Sequence, residues 1–165
     1  MLEAPADATP AKARNYAMGL LTGRDYSRAE LATKLNKRFD NHSAIDEVLQ
    51  RLADEGLQSD ERFAEAFVRS GILRGHGLTR IRQDIRQKGI ADELVEQTLD
   101  AADVDWMDLA REVAQRKFGQ RQAADQRETA KRMRFLQYRG FNYDQIKYAL
   151  QGCSDDPVND LGFID

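Results

Sequence analysis

The side chains in this sequence most able to do chemistry are cations, and they crowd into one stretch, Gly75-His-Gly-Leu-Thr-Arg-Ile-Arg-Gln-Asp-Ile-Arg-Gln-Lys-Gly-Ile90. Leu78, Ile81 and Ile85 fall three and four apart and so share one helical face, with Arg82 and Arg86 forming a cationic stripe beside it. Arg74, Arg80, Arg82, Arg86 and Lys88 have only Asp84 among them, and a pair between Asp84 and Lys88 at i, i+4 would engage that acid. Arginines without counterions repel one another until a partner supplies acid, so this face is expected to bind an anion. His76 lies between two glycines. That turn is either a nest of amides feeding a helix N-terminus, with Arg74 and Arg80 beside a phosphate or carboxylate, or a plain turn in which glycine supplies the backbone angles. The plain turn is preferred, because a lone Gly-x-Gly is a weak signal. A second cluster, Arg127, Lys131, Arg132, Arg134 and Arg139, invites the same reading, although Glu128 can answer Arg132.

No catalytic constellation accompanies these cations. The Gly-x-Gly has no preceding strand and no Gly-Lys-Ser/Thr to hold a nucleotide, and no His/Cys spacing suits a metal. No cofactor is expected, and an enzyme is disfavoured because nothing suggests convergent groups with displaced pKa values. Cys153 is the only cysteine, which excludes an intramolecular disulfide and fits a reducing cytosol. Neither end shows a leader pattern, and no apolar run approaches the roughly 20 residues that span a bilayer.

The elements that must position the cations are helices. Ala, Leu, Arg, Gln and Glu dominate and there are only three prolines. Three copies of one unit appear. Moving back by about fifty positions lays Leu31, Leu35, Ile45 and Leu49 on Ile81, Ile85, Val95 and Leu99, and moving forward lays Leu136, Gly140, Phe141, Ile146 and Leu150 on Ile85 to Leu99. Gly89 suits a left-handed helix stop with Ile90 folding back on Ile85, the Schellman arrangement. Phe39 and Asp40 replace that Gly-Ile pair in the first copy, so its helix must end differently. Ser27 with Glu30, and Asn142 with Gln145, have the types of a capping box. The spacing predicts helices over about 11–22, 28–37, 43–55, 60–73, 78–88, 92–102, 105–118, 127–139 and 142–151.

The expected fold is therefore all-α, about nine helices in three tandem three-helix repeats stacked at right angles into an elongated, curved body. A flexible lead covers 1–10, the repeats 11–58, 59–103 and 104–152, and an acidic tail 153–165. Net charge is only -3, but it is blocked: seven cations face two acids between Arg62 and Ile90, seven acids and no cation lie between Ala91 and Ala110, and ten cations face four acids between Arg111 and Leu150. The tail holds four aspartates. It either competes for a basic face or serves as a solubilising tail. Among the aromatic residues of the last repeat, Tyr138, Tyr143 and Tyr148 could stack on a base or a partner.

Ser27-Arg-Ala-Glu-Leu, Asp60-Glu-Arg-Phe63, the Gly75 to Ile90 stretch, Asp105-Trp106 and Arg134-Phe-Leu-Gln-Tyr-Arg-Gly140, in that order, resemble the bacterial RecX family. Most members carry Tyr or a similar residue between the glycines and often Pro before the arginine-bearing helix, where this chain has His76 and Leu78. The resemblance implies a cytoplasmic, non-catalytic modulator of the RecA recombinase in DNA repair and SOS control. It would bind RecA filaments on single-stranded DNA and suppress ATP hydrolysis, strand exchange and co-protease activity. It would act as a monomer away from membranes, its basic faces also touching single-stranded and, weakly, duplex DNA. The competing expectation is a helix-turn-helix-like DNA-binding module that acts without RecA.

Overall fold

A computed structural model of the protein describes residues 10–151. Among them are nine helices and no strand: α1 (Pro10–Gly23), α2 (Arg28–Arg38), α3 (Ile45–Asp54), α4 (Asp60–Leu73), α5 (Leu78–Gln87), α6 (Asp92–Ala101), α7 (Trp106–Phe118), α8 (Gln126–Tyr138) and α9 (Tyr143–Gln151). The acidic tail lies outside the described residues. None of these helices is long and apolar enough to cross a membrane, and among the described residues no group of three or more His, Cys, Asp or Glu is placed to hold a metal ion.

The described chain divides into two compact units. The first holds the residues up to Phe67 together with Asp84–Asp100, and the second holds Val68–Gln83 and the residues from Ala101 onward. All three divisions fall inside helices of the middle triplet, α4, α5 and α6. In the first unit Ala13, Ala17, Tyr26, Leu31, Leu35, Ile45, Val48, Leu49 and Leu52 form one core, with Phe39 and Tyr16 packed against it and edge to face on each other. In the second, Leu109, Ala110, Val113, Ala114, Leu136, Phe141, Ile146 and Ala149 do the same. These are the periodic apolar positions of the sequence, each face withdrawn from water by its neighbours.

Helix starts follow the sequence where side chains cap them. Ser27 and Glu30 form the reciprocal box at α2, Asn142 and Gln145 the same box at α9, and Asp105 and Asp125 accept the third amide of α7 and α8. Helix α3 departs from expectation. It begins at Ile45, two residues after Ser43, with Ala44 as its N-cap and no side chain capping it, and in the turn before it the Ala44 amide donates to His42 Nδ1 at 3.0 Å.

Stops follow the glycines. Gly56, Gly75, Gly89 and Gly140 all have positive φ. At Gly140 the bonds from Gly140 N to Gln137 O and from Phe141 N to Leu136 O complete the Schellman pattern. The first copy solves the problem one residue later. Asp40 and Asn41 take φ of 52° and 56°, and the Asn41 amide reaches Asn36 O at 2.9 Å, so two short polar side chains stand in for the missing glycine.

Candidate anion-binding surface

The Gly75-His76-Gly77 turn is built by backbone demands. Gly75 ends α4, its amide bonded to Ile72 O and that of His76 to Gly71 O. The Gly77 amide donates to Arg139 O at 2.7 Å and the Thr79 amide to Gly140 O at 3.2 Å. These amides, which a nest would direct at an anion, are thus engaged by carbonyls, and the plain-turn reading describes the site. Gly77 is required by proximity, since a Cβ there would lie 2.5 Å from the Gly140 carbonyl.

The cations around α5 are less isolated than their sequence neighbours suggest. Lys88 Nζ pairs with Glu30 Oε2 at 3.1 Å, which corrects the expected pairing with Asp84. Arg86 Nε lies 3.0 Å from Asp92 Oδ1, and its Nη2 lies 3.7 Å from Glu96. Both acids stand on α6, which a local i, i+4 argument cannot reach. Arg74 directs its guanidinium to the Ser70 hydroxyl, and His76, Arg80 and Arg82 have partners of their own within the molecule. The expectation that only Asp84 answers this cluster is therefore overturned. The Arg86 pairs are solvated on both sides, so they contribute little and can be exchanged for a partner's acid, whereas Lys88 reaches a Glu30 carboxylate that is only 15 % exposed.

Helix α8 sorts its cations by face. Arg132 faces inward: its side chain is 8 % exposed, pairs with Glu128 at 2.5 Å, donates to Arg121 O at 2.9 Å and lies over the Phe118 ring. Arg132 thus ties the polar connection before α8 to the core, and its burial withdraws it from any outer surface. Arg139 is half-buried, packs over Phe135 and donates to Arg74 O at 2.8 Å. Arg127, Lys131 and Arg134 face outward, and no carboxylate or ring among the described residues engages them. Their positions, i, i+4 and i+7, align them along one side, and the next step of four reaches Tyr138.

Tyr138 is 77 % exposed, and the Arg80 guanidinium lies 5.4 Å from its ring centre. Both residues stand out in the sequence, but neither periodicity nor charge could join them, because α5 and α8 meet only through the fold. Tyr143 is also exposed, whereas Tyr148 donates to Asp108 at 3.0 Å beneath Arg111. That hydrogen bond to a carboxylate raises the Tyr148 pKa above its ordinary value. Three solvated cations in a row, ending at an aromatic ring flanked by a guanidinium, make a surface suited to a polyanion.

Sequence models of the RecX three-helix domains match the chain in order, the first over residues 13–52, the second over 59–99 and the third over 103–150. A protein of Halorhodospira halophila named regulatory protein RecX is 43 % identical over 151 residues, which cover 92 % of this chain and 94 % of that one. The protein of the same name from Chromohalobacter salexigens is 44 % identical over 144 residues, 87 % of this chain and 92 % of its own. The crystal structure of RecX from Lactobacillus salivarius superposes with a TM-score of 0.73 at 25 % identity, covering 90 % of this chain and 97 % of its own.

Proposed function

This chain belongs to the RecX family of regulatory proteins, and from that membership we propose that it binds RecA filaments on single-stranded DNA and inhibits their ATP hydrolysis, strand exchange and co-protease activity. The observation that carries the proposal is the match of all three family domains, in order, across nearly the whole described chain. The surface supports it. A nucleoprotein filament presents repeated acidic and phosphate groups, and several weak cationic contacts on one molecule act there at high effective concentration. Arg74, His76, Arg80, Arg82, Arg86 and Lys88 supply one set of contacts and Arg127, Lys131, Arg134 and Arg139 the other, with Arg127, Lys131 and Arg134 the most accessible. The protein works as a cytoplasmic monomer, by binding and without chemistry of its own.

ATP hydrolysis by preformed RecA filaments, titrated with the full chain, should fall progressively. Unaltered hydrolysis across the titration would overturn the proposal. A helix-turn-helix-like module acting without RecA is the second reading, since the open face of α8 could equally lie along duplex phosphates. Sequence-selective duplex binding at physiological salt, with filament hydrolysis unaffected, would select it.

A further inference from the structure

We infer that the outer face of α8 is a single-strand track: Arg127, Lys131 and Arg134 hold consecutive phosphates, and Tyr138, flanked by Arg80, stacks on an unpaired base. The inference rests on the proposed function and assigns the nucleic-acid contact to one part of the second unit. Four features of that unit support it. The cations recur at intervals of four and three residues, advancing about 6 Å and about 4.5 Å along the helix, so each long side chain serves a separate group on an extended chain. The acids nearest them are occupied, because Glu128 is bound by Arg132 and the Asp125 side chain caps the helix. The row ends at Tyr138, which is 77 % exposed, with the Arg80 guanidinium over one side of its ring, 5.4 Å from the centre. Arg132, anchored beneath, prevents the helix from rolling that face inward.

The exposed tyrosine decides between occupants. A row of cations alone would accept any polyanion. Base stacking requires a free π-face, which a duplex hides inside its own stack and a single strand offers at every nucleotide. The Arg80 guanidinium over one side of the ring adds a positive charge next to the phosphate path and leaves the other side for a base. The ligand class is therefore single-stranded nucleic acid of any sequence, because nothing on this face is arranged to read base edges.

The test is fluorescence anisotropy of labelled oligo(dT) and of a labelled duplex, with the full chain, over a salt series. Replacing Arg127, Lys131 and Arg134 together by Ala should reduce the magnitude of the slope of log K against log salt for oligo(dT) by about two, since each lost phosphate contact removes about 0.7. Tyr138→Ala should weaken oligo(dT) binding about tenfold and leave duplex binding unchanged, while Tyr138→Phe, which keeps the ring, should bind as the parent does. Circular dichroism checks that the helices persist in each variant. An unchanged slope in the triple variant, or equal losses on single strand and duplex for Tyr138→Ala, would overturn the inference. Filament hydrolysis measured in parallel separates it from the proposed function. A triple variant that binds oligo(dT) normally but no longer inhibits hydrolysis makes the stripe a protein contact, so the inference falls and the family role stands. A parent protein with the expected slope and tyrosine effects, but no influence on hydrolysis, supports the single-strand track and overturns the proposed role at the filament.

Discussion

Two helix-end junctions, one in each unit, occupy equivalent positions in the repeat and are built from different chemistry. In the first unit the start of α2 meets the end of α5. Ser27 Oγ donates to Lys88 O at 2.7 Å and accepts from the Glu30 amide, while the Glu30 carboxylate accepts from the Ser27 amide and pairs with Lys88 Nζ. In the second unit the start of α5 meets the end of α8, and Gly77 stands about fifty residues on from Ser27. There the Gly77 and Thr79 amides donate directly to the carbonyls of Arg139 and Gly140, and Arg139 reaches back to Arg74 O. A helix start lacks partners for its first amides and a helix end for its last carbonyls. One junction supplies them with a hydroxyl and a carboxylate, the other by bringing the two deficits together. The first can therefore lose its bonds one at a time, while the second depends on an approach that a single methyl group would block.

The strongest test of that contrast substitutes the glycines. Gly77→Ala places a Cβ 2.5 Å from the carbonyl carbon and oxygen of Gly140, backbone atoms that cannot rotate away. A loss of about 3 kcal/mol in urea unfolding is expected, from overpacking together with the loss of the Gly77 and Thr79 bonds. Gly89→Ala, in the first junction, should cost somewhat less. Its φ of 81° strains alanine, and the new methyl meets chiefly the Ala29 Cβ, which is a side chain. Adding Ala29→Gly should return part of the loss at Gly89, whereas trimming side chains around Gly77 should return nothing. Equal rescue at both places would show that the two junctions are sterically alike.

Next in size is Ser27→Ala, which removes a buried hydroxyl that serves both as cap of α2 and as donor to Lys88 O. A loss of about 1–2 kcal/mol is expected in thermal or urea unfolding. Thr79→Ala, at the start of α5, should fall within about 0.5 kcal/mol of the parent, because that junction uses the Thr79 amide and leaves its exposed side chain aside. A Thr79→Ala loss as large as that of Ser27→Ala would contradict the division between side-chain and main-chain chemistry.

The same pair of junctions explains what can be read from the sequence. Capping obeys spacing of three, so Ser27 with Glu30 and Asn142 with Gln145 are legible, and left-handed stops need glycine, so Gly89 and Gly140 are too. Apolar residues three and four apart give the helices for the same local reason. A local rule assigns Lys88 to Asp84 because it sees only one turn of helix, and Glu30 arrives from a helix far back in the chain. Arg132 looks like any other member of its cluster, since nothing in the spacing shows that Phe118 and the Arg121 carbonyl will enclose it. The stripe of Arg127, Lys131, Arg134 and Tyr138 is present in the spacing, but Arg80 reaches Tyr138 only because Gly140 lets the start of α5 approach the end of α8.

The smallest effect separates the junctions by proton chemistry. Burial works to raise the Glu30 pKa, but the hydrogen bonds from Lys88, the Ser27 amide and Arg24, with the Arg24 charge, outweigh it and hold the carboxyl below its ordinary value. A carboxyl whose folded pKa lies below its unfolded one contributes stability that is fully present above the unfolded value, about 4.3, and is lost as pH falls through the folded value. Arg24 and Lys88 are both well solvated, so the contribution at neutral pH should be under about 1 kcal/mol. Glu30→Gln should accordingly be slightly less stable than the parent at pH 7, with the difference closing as the solution is acidified below about pH 4. The bonds from Gly77 and Thr79 have no proton to gain, so a protein already weakened by Gly77→Ala should show the same Glu30-dependent change with acid. If Gly77→Ala abolished that change, acid sensitivity would not belong to the Ser27 junction alone.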